Sequence, residues 1–133
     1  MIEIAKTIID DMVTHAQEGF PLEVCGILGG TDKTVTTIYR MTNTDASNEH
    51  FMMDPKEQFA VVKDLRAKGL DMLAIYHSHP ETPARPSEED IKLALTPDVS
   101  HLIISLADAA APEIKSFNIS AGNVQIETIK AIV

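Results

Sequence analysis

The strongest constraint on the fold is a pair of apolar runs too continuous for a half-exposed surface. Residues 70–77 and 101–106 are apolar at nearly every position and lack the alternation of a strand that faces water on one side. Such runs read as strands buried on both faces, and a sheet buried that way needs helices to cover it. The sequence supplies them. Ile4, Ile8, Ile9, Met12, Val13 and Ala16 recur at helical spacing over residues 2–18, with Gly19 and Pro21 as the stop. Asp54-Pro55 opens a second helix that runs to about residue 68, with Phe59, Val62 and Leu65 expected on its inner face and Gly69 ending it.

Between these helices, residues 24–29 and the Thr-, Val- and Ile-rich residues 34–41 flank turn-forming residues 29–33 and predict a β-hairpin. A polar loop covers residues 43–50. Further on come a Pro-rich loop at 80–86 and a short helix over 88–95 with Ser87 at its N-cap. A strand at 115–120, a turn at Gly122-Asn123 and a last strand over 124–132 follow. The order predicts a mixed α/β (α+β) fold in which helices pack on a sheet.

With 133 residues the chain suits a single domain, 1–133, large enough to bury a core without staples. One cysteine excludes an internal disulfide framework and a structural zinc cluster. No apolar run approaches the roughly 20 residues of a membrane span, and Glu3 and Lys6 interrupt what would be a signal peptide's apolar core. A cytoplasmic protein is expected, with no membrane partner. Eleven Lys and Arg stand against 20 Asp and Glu, a net charge of −9. That field repels phosphate backbones, and Arg66 and Lys68 are offset by Asp64 and Asp71, so no nucleic-acid partner is expected.

The chemistry concentrates in His77-Ser78-His79. At a strand end, residues i and i+2 share a face, so both imidazoles can converge on one ion. Asp90 follows across the Pro-rich loop, which can bring its carboxylate back to them. Two His and a carboxylate form the ligand set of an open catalytic zinc site, although a non-haem iron site uses the same set. A plainer reading exists for each part. Ser87-Glu88-Glu89-Asp90 has the form of a helix capping box, an H-x-H pair also occurs at ordinary strand exits, and Glu23 alone reads as a solvated turn carboxylate.

The whole string decides between them. His77-Ser78-His79-Pro80, ten residues between His79 and Asp90, and Ser87 three before that Asp resemble the JAMM (MPN+) metalloprotease motif. Residues 21–29, with Pro21, Glu23, Cys25, Gly26, Leu28 and Gly29, resemble the same family's upstream signature. Ser47, Phe51, Asp54, Pro55 and Glu57 resemble the segment between them. The resemblance implies the MPN fold, a curved mixed sheet flanked by helices with cytidine-deaminase-like architecture. It implies His77, His79 and Asp90 as zinc ligands, Glu23 as the general acid/base, and Ser87 as the hydroxyl that stabilises the oxyanion. It implies a protease or isopeptidase whose protein substrate is a small β-grasp ubiquitin-like or sulfur-carrier protein cut after its C-terminal Gly-Gly. A cell-wall peptide or another protein tail stays open as the substrate.

Several other hydrolases are excluded. There is no H-E-x-x-H, one Cys cannot supply the P-C-x-x-C of zinc deaminases, and the chain is too short for a (β/α)₈ barrel. The competing class is a catalytically silent MPN-type scaffold, which the presence of every motif residue disfavours. Cys25 is expected to be a small buried hydrophobe, His101 structural, His15 a helix-end residue, and Met52-Met53 core or groove lining.

Overall fold

A computed structural model describes residues 1–94 and 98–133. Along the chain run β1 (Ile2–Ala5), α1 (Lys6–Gly19), β2 (Cys25–Thr31), β3 (Thr34–Met41), α2 (Pro55–Ala67) and β4 (Asp71–His79). They are followed by α3 (Glu88–Lys92), β5 (Ser100–Ser105), β6 (Glu113–Ser120), β7 (Asn123–Glu127) and β8 (Ile129–Ile132). The strands form one mixed sheet in the order β7-β6-β5-β4-β2-β3-β1-β8. β4 pairs parallel with β5, and β1 pairs parallel with β3 and β8. β7 and β8 stand at opposite ends of that order although only Thr128 separates them in the chain. The sheet therefore curls until its two edges are joined through one residue.

The helices cover opposite faces. On one, Ile8, Met12 and Ala16 of α1 pack with Ile2, Ile4, Leu28, Tyr76, Leu102 and Ile104. On the other, Val61 and Leu65 of α2 pack with Cys25, Ile27, Met41 and Met53. Each such side chain, fully buried, is worth roughly 1.5–3 kcal/mol. The period of two along β4 then decides where the chemistry emerges. Ala74 and Tyr76 face α1 and Ile75 faces α2, so His77 and His79 come out on the α2 face while Ser78 turns away from it. A third cluster, with Ala84, Ile103, Phe117 and Ile119, lies under α3.

The sequence expectations hold in outline, with local corrections. The first helix begins at Lys6, because Ile2 and Ile4 are both buried at a spacing of two and join the sheet as β1. The hairpin turn contracts to Asp32 and Lys33, both at positive φ (50° and 67°), as a two-residue turn demands. Gly29 and Gly30 belong instead to β2, where the register shifts, and a Cβ on Gly30 would stand 1.9 Å from the Thr34 carbonyl oxygen. In α2 the inner face is Val61 and Leu65. Phe59 points to solvent at 67% exposure, because Leu65 and the buried Met53 just before the helix set its phase. The last strand breaks at Thr128 into β7 and β8, which lets the chain pass from one sheet edge to the other. α3 ends at Lys92 with Leu93 as its C-cap, so the helix expected over 88–95 stops short of Leu93 and Ala94, and residue 95 lies outside the described residues. Among the described residues no helix is long and apolar enough to cross a membrane.

Candidate metal centre

His77 and His79 leave the buried end of β4 side by side, each 4% exposed. Their Nε2 atoms lie 3.1 Å apart. Asp90 Oδ2 stands 3.2 Å from His77 Nε2 and 3.1 Å from His79 Nε2. The loop between β4 and α3 brings this carboxylate back, and α3 begins with a capping box: Ser87 Oγ accepts from the Asp90 N–H at 3.0 Å while Ser87 N–H donates to Asp90 Oδ2 at 2.9 Å. The capping reading holds, and it is compatible with the ligand reading. The cap holds the carboxylate where the imidazoles converge.

The donor pattern suits a metal ion. His79 Nδ1 lies 3.0 Å from the Pro83 carbonyl oxygen, which only accepts, so Nδ1 carries the proton and Nε2 presents a lone pair. That lone pair faces a carboxylate oxygen and a second imidazole nitrogen. Electron-rich atoms that close together call for a cation between them, and a backbone carbonyl fixing the tautomer is the usual support for a metal-bound His. Among the described residues, these three form the group of ligand atoms close enough to share a metal ion. Burial lowers the His77 pKa. For His79 the carboxylate of Asp90 and the Pro83 carbonyl outweigh burial, and its pKa rises. Burial would raise Asp90, but the two imidazoles hold it well below the usual carboxylate range.

Glu23 precedes β2 and is 4% exposed. Its Oε1 finds no hydrogen-bond partner among the described residues. Burial pushes this carboxyl up to about 7, with the positive charge of His79 opposing and the negative charge of Asp90 adding. The backbone around it is pinned from three sides. Glu23 N–H donates to the Ser47 carbonyl at 2.8 Å, Asn43 Nδ2 donates to the Glu23 carbonyl at 3.1 Å, and Val24 N–H donates to Ser78 Oγ at 2.8 Å. Ser78, facing away from the cluster, thereby ties the histidine strand to the Glu23 segment.

Three supports were not legible as such in the sequence. Phe51 stacks on His77 with ring centroids 4.6 Å apart. Asn43 takes Met52 N–H and Asp45 N–H on its Oδ1 while its Nδ2 holds the Glu23 and His50 carbonyls, so it organises the loop that delivers Phe51. Pro83 acts through its carbonyl as well as through rigidity. The remaining expectations resolve plainly. Cys25 pairs with His77 across β2 and β4 but is fully buried, and burial pushes its thiol up to about 12, so it stays protonated. His15 bonds the Tyr76 hydroxyl through Nδ1 at 2.7 Å. His101, on β5, and His50, on the loop, line a cavity of about 320 Å³ that opens beside His77 and Asp90. Phe51, Met53, Leu93, Ile103 and Ile119 form its apolar walls.

A curled mixed sheet between helices, with an open His-His-Asp cluster at a strand end, defines a hydrolase domain of the JAB/MPN class. The chain belongs to the family described as prokaryotic homologs of the JAB domain, which it matches over residues 5–120. It is 33% identical to a protein of Mycobacterium tuberculosis named CysO-cysteine peptidase, over 99% of this chain and 92% of that one. It is also 33% identical to a protein of Haloferax volcanii named desampylase, over 78% of this chain and 80% of the other. A protein of Desulfitobacterium hafniense solved in solution superposes with a TM-score of 0.90 at 46% identity, covering 99% of this chain and 93% of that one. A JAB1/MPN domain protein from Archaeoglobus fulgidus shares the fold with a TM-score of 0.68 at 18% identity, covering 98% of this chain and 97% of its own.

Proposed function

We propose that this chain is a zinc-dependent peptidase or isopeptidase that hydrolyses the bond after the C-terminal Gly-Gly of a small ubiquitin-like or sulfur-carrier protein. The observation that carries the reading is the convergence of three ligand atoms beside a buried carboxyl whose Oε1 has no partner among the described residues. A tetrahedral zinc with arms of about 2.0–2.1 Å has ligand-to-ligand edges of roughly 3.3–3.4 Å. The observed separations of 3.1 to 3.2 Å fit such an ion with His77, His79 and Asp90 as its protein ligands and one position open. The named activities of the Mycobacterium and Haloferax relatives support the substrate class.

Zinc, when bound there, supplies a Lewis acid for the scissile carbonyl and brings the pKa of a water near 7. The chain's own residues do the rest. Glu23 Oε1 takes the proton of the attacking water and delivers it to the leaving nitrogen, and a carboxyl near 7 is matched to both transfers. Ser87 Oγ already accepts from the Asp90 N–H, so its own O–H is left to donate to the developing oxyanion. The cavity beside His77 and Asp90 receives the substrate chain, and its apolar walls displace water from the reacting bond.

The test is cleavage of a β-grasp domain joined through its Gly-Gly tail to a second protein, with the product masses locating the cut. A cut after the second Gly that is lost with chelator and restored by zinc is the expected result. Binding without cleavage of any tailed protein by the zinc-loaded chain would leave a silent scaffold in its place.

A further inference from the structure

The outer face of α2 combines basic side chains with an exposed aromatic. Residues 56, 59, 60, 63, 66 and 67 fall on one side of the helix at spacings of three and four, directly opposite the buried Val61 and Leu65. That side presents Phe59, 67% exposed, among Lys56, Lys63 and Arg66, with Lys63 Nζ 5.5 Å from the Phe59 ring centre. The neighbouring acids are occupied elsewhere. Glu57 is held by the backbone and hydroxyl of Thr42 at 2.7 and 2.8 Å, and Asp64 by Tyr39 and Lys68. Among the described residues no carboxylate pairs with Lys56, Lys63 or Arg66.

A chain of net charge −9 thus keeps one basic face with an aromatic at its centre. A large exposed aromatic between free cations is costly to leave in water and is well suited to an interface core with a charged rim. The helix that carries this face borders the candidate site with its other side. Gln58, the residue before Phe59, lines the cavity beside His77 and Asp90, as do Met52 and Met53, which lead into the helix.

We propose that this α2 face docks the folded body of the substrate, an acidic globular protein with an apolar patch, while its tail runs into the cavity. The assignment rests on the peptidase reading above. Phe59 is the apolar anchor; Lys56, Lys63 and Arg66 steer an acidic partner that the rest of the surface repels. Docking here accounts for recognition of a protein by a small domain whose cavity can hold only a few residues of its tail.

The experiment compares two substrates of one sequence: an acidic ubiquitin-like domain ending in Gly-Gly fused to a reporter protein, and a short peptide of the same tail and junction. In Phe59→Ala and Lys63→Glu, KM for the folded fusion should rise about tenfold with kcat nearly unchanged, as for an interface anchor. KM for the peptide should stay at the wild-type value. The wild-type advantage of fusion over peptide should shrink with added salt. Equal KM values for variant and wild type on the fusion, or equal losses on fusion and peptide, would overturn the docking face while leaving the peptidase intact. Fluorescence anisotropy with the uncleaved domain reads docking without catalysis. There the two variants should bind about tenfold more weakly, and unaltered binding overturns the proposal even if no substrate is ever cut.

Discussion

Glu23 and Glu127 are buried to nearly the same degree, 4% and 6% exposed, and sit in opposite electrostatic states. Glu127, at the end of β7, receives the hydroxyls of Ser100 at 2.5 Å and Ser116 at 2.8 Å on Oε1. Its other oxygen lies 3.7 Å from both the Met1 ammonium and Lys33 Nζ. Burial alone would raise its pKa, but these donors and the Lys33 charge pull it below the usual value. Among the described residues Glu23 Oε1 has no such company, and burial pushes this carboxyl up to about 7. One carboxylate is neutralised where the curled sheet closes; the other is left hungry beside a metal-type cluster. Burial thus tells little about a carboxylate's role. What the fold gives it to bond with tells more.

The sharpest way to separate the two is Glu23→Gln, which keeps size and removes the base. Turnover should drop by roughly 10²–10⁴-fold while zinc content and melting temperature stay at or above the wild-type level, since no buried carboxylate need be ionised. Loss of zinc would make Glu23 a ligand and end the comparison.

Metal itself gives the next largest effect. Zinc at about 100 times its dissociation constant should stabilise the folded chain by about 2.7 kcal/mol, read as a rise in melting temperature. His79→Ala should abolish that rise and Glu23→Gln should keep it.

Glu127→Ala should do the reverse of Glu23→Gln. It strands the buried Ser100 and Ser116 hydroxyls and costs about 2 kcal/mol of unfolding free energy by denaturant titration, while the folded fraction cuts as wild type does.

A further difference is in the pH profile of the chelated protein, where the two glutamates have opposite signs. Glu23, raised to about 7, binds its proton more tightly when folded, so stability falls as pH climbs from about 4.3 towards 7. Glu127, lowered, stabilises above the unfolded value near 4.3 and that contribution is lost as pH falls through its folded pKa. Glu23→Gln should flatten the neutral limb alone; a limb that survives this substitution belongs to another group.

Much of this was legible in the chain. The apolar runs, the hairpin residues and the strand-end spacing of His77 and His79 depend on local periodicity, which survives into the fold as β4, β5 and the α2-side face. Ser87 and Asp90 were legible as a capping box, because that motif is set by four consecutive residues. Less legible were residues whose meaning comes from what lies opposite. Ile2 and Ile4 fit a helix until β3 and β8 claim them, and Phe59 fits a core until Val61 takes the inner face.

By itself the sequence determined the metal-type donor set, the family and the alternation of elements, because each is carried by residue identity at short spacing. Tertiary structure alone decided that Glu23 Oε1 lacks a hydrogen-bond partner among the described residues while Glu127 Oε1 takes two hydroxyls, that Pro83 fixes the tautomer of His79, and that Phe51 lies on His77. Each of these joins groups that the chain's curl brings together. The pKa of a carboxylate is a property of its neighbours in space, and sequence lists neighbours along the chain only.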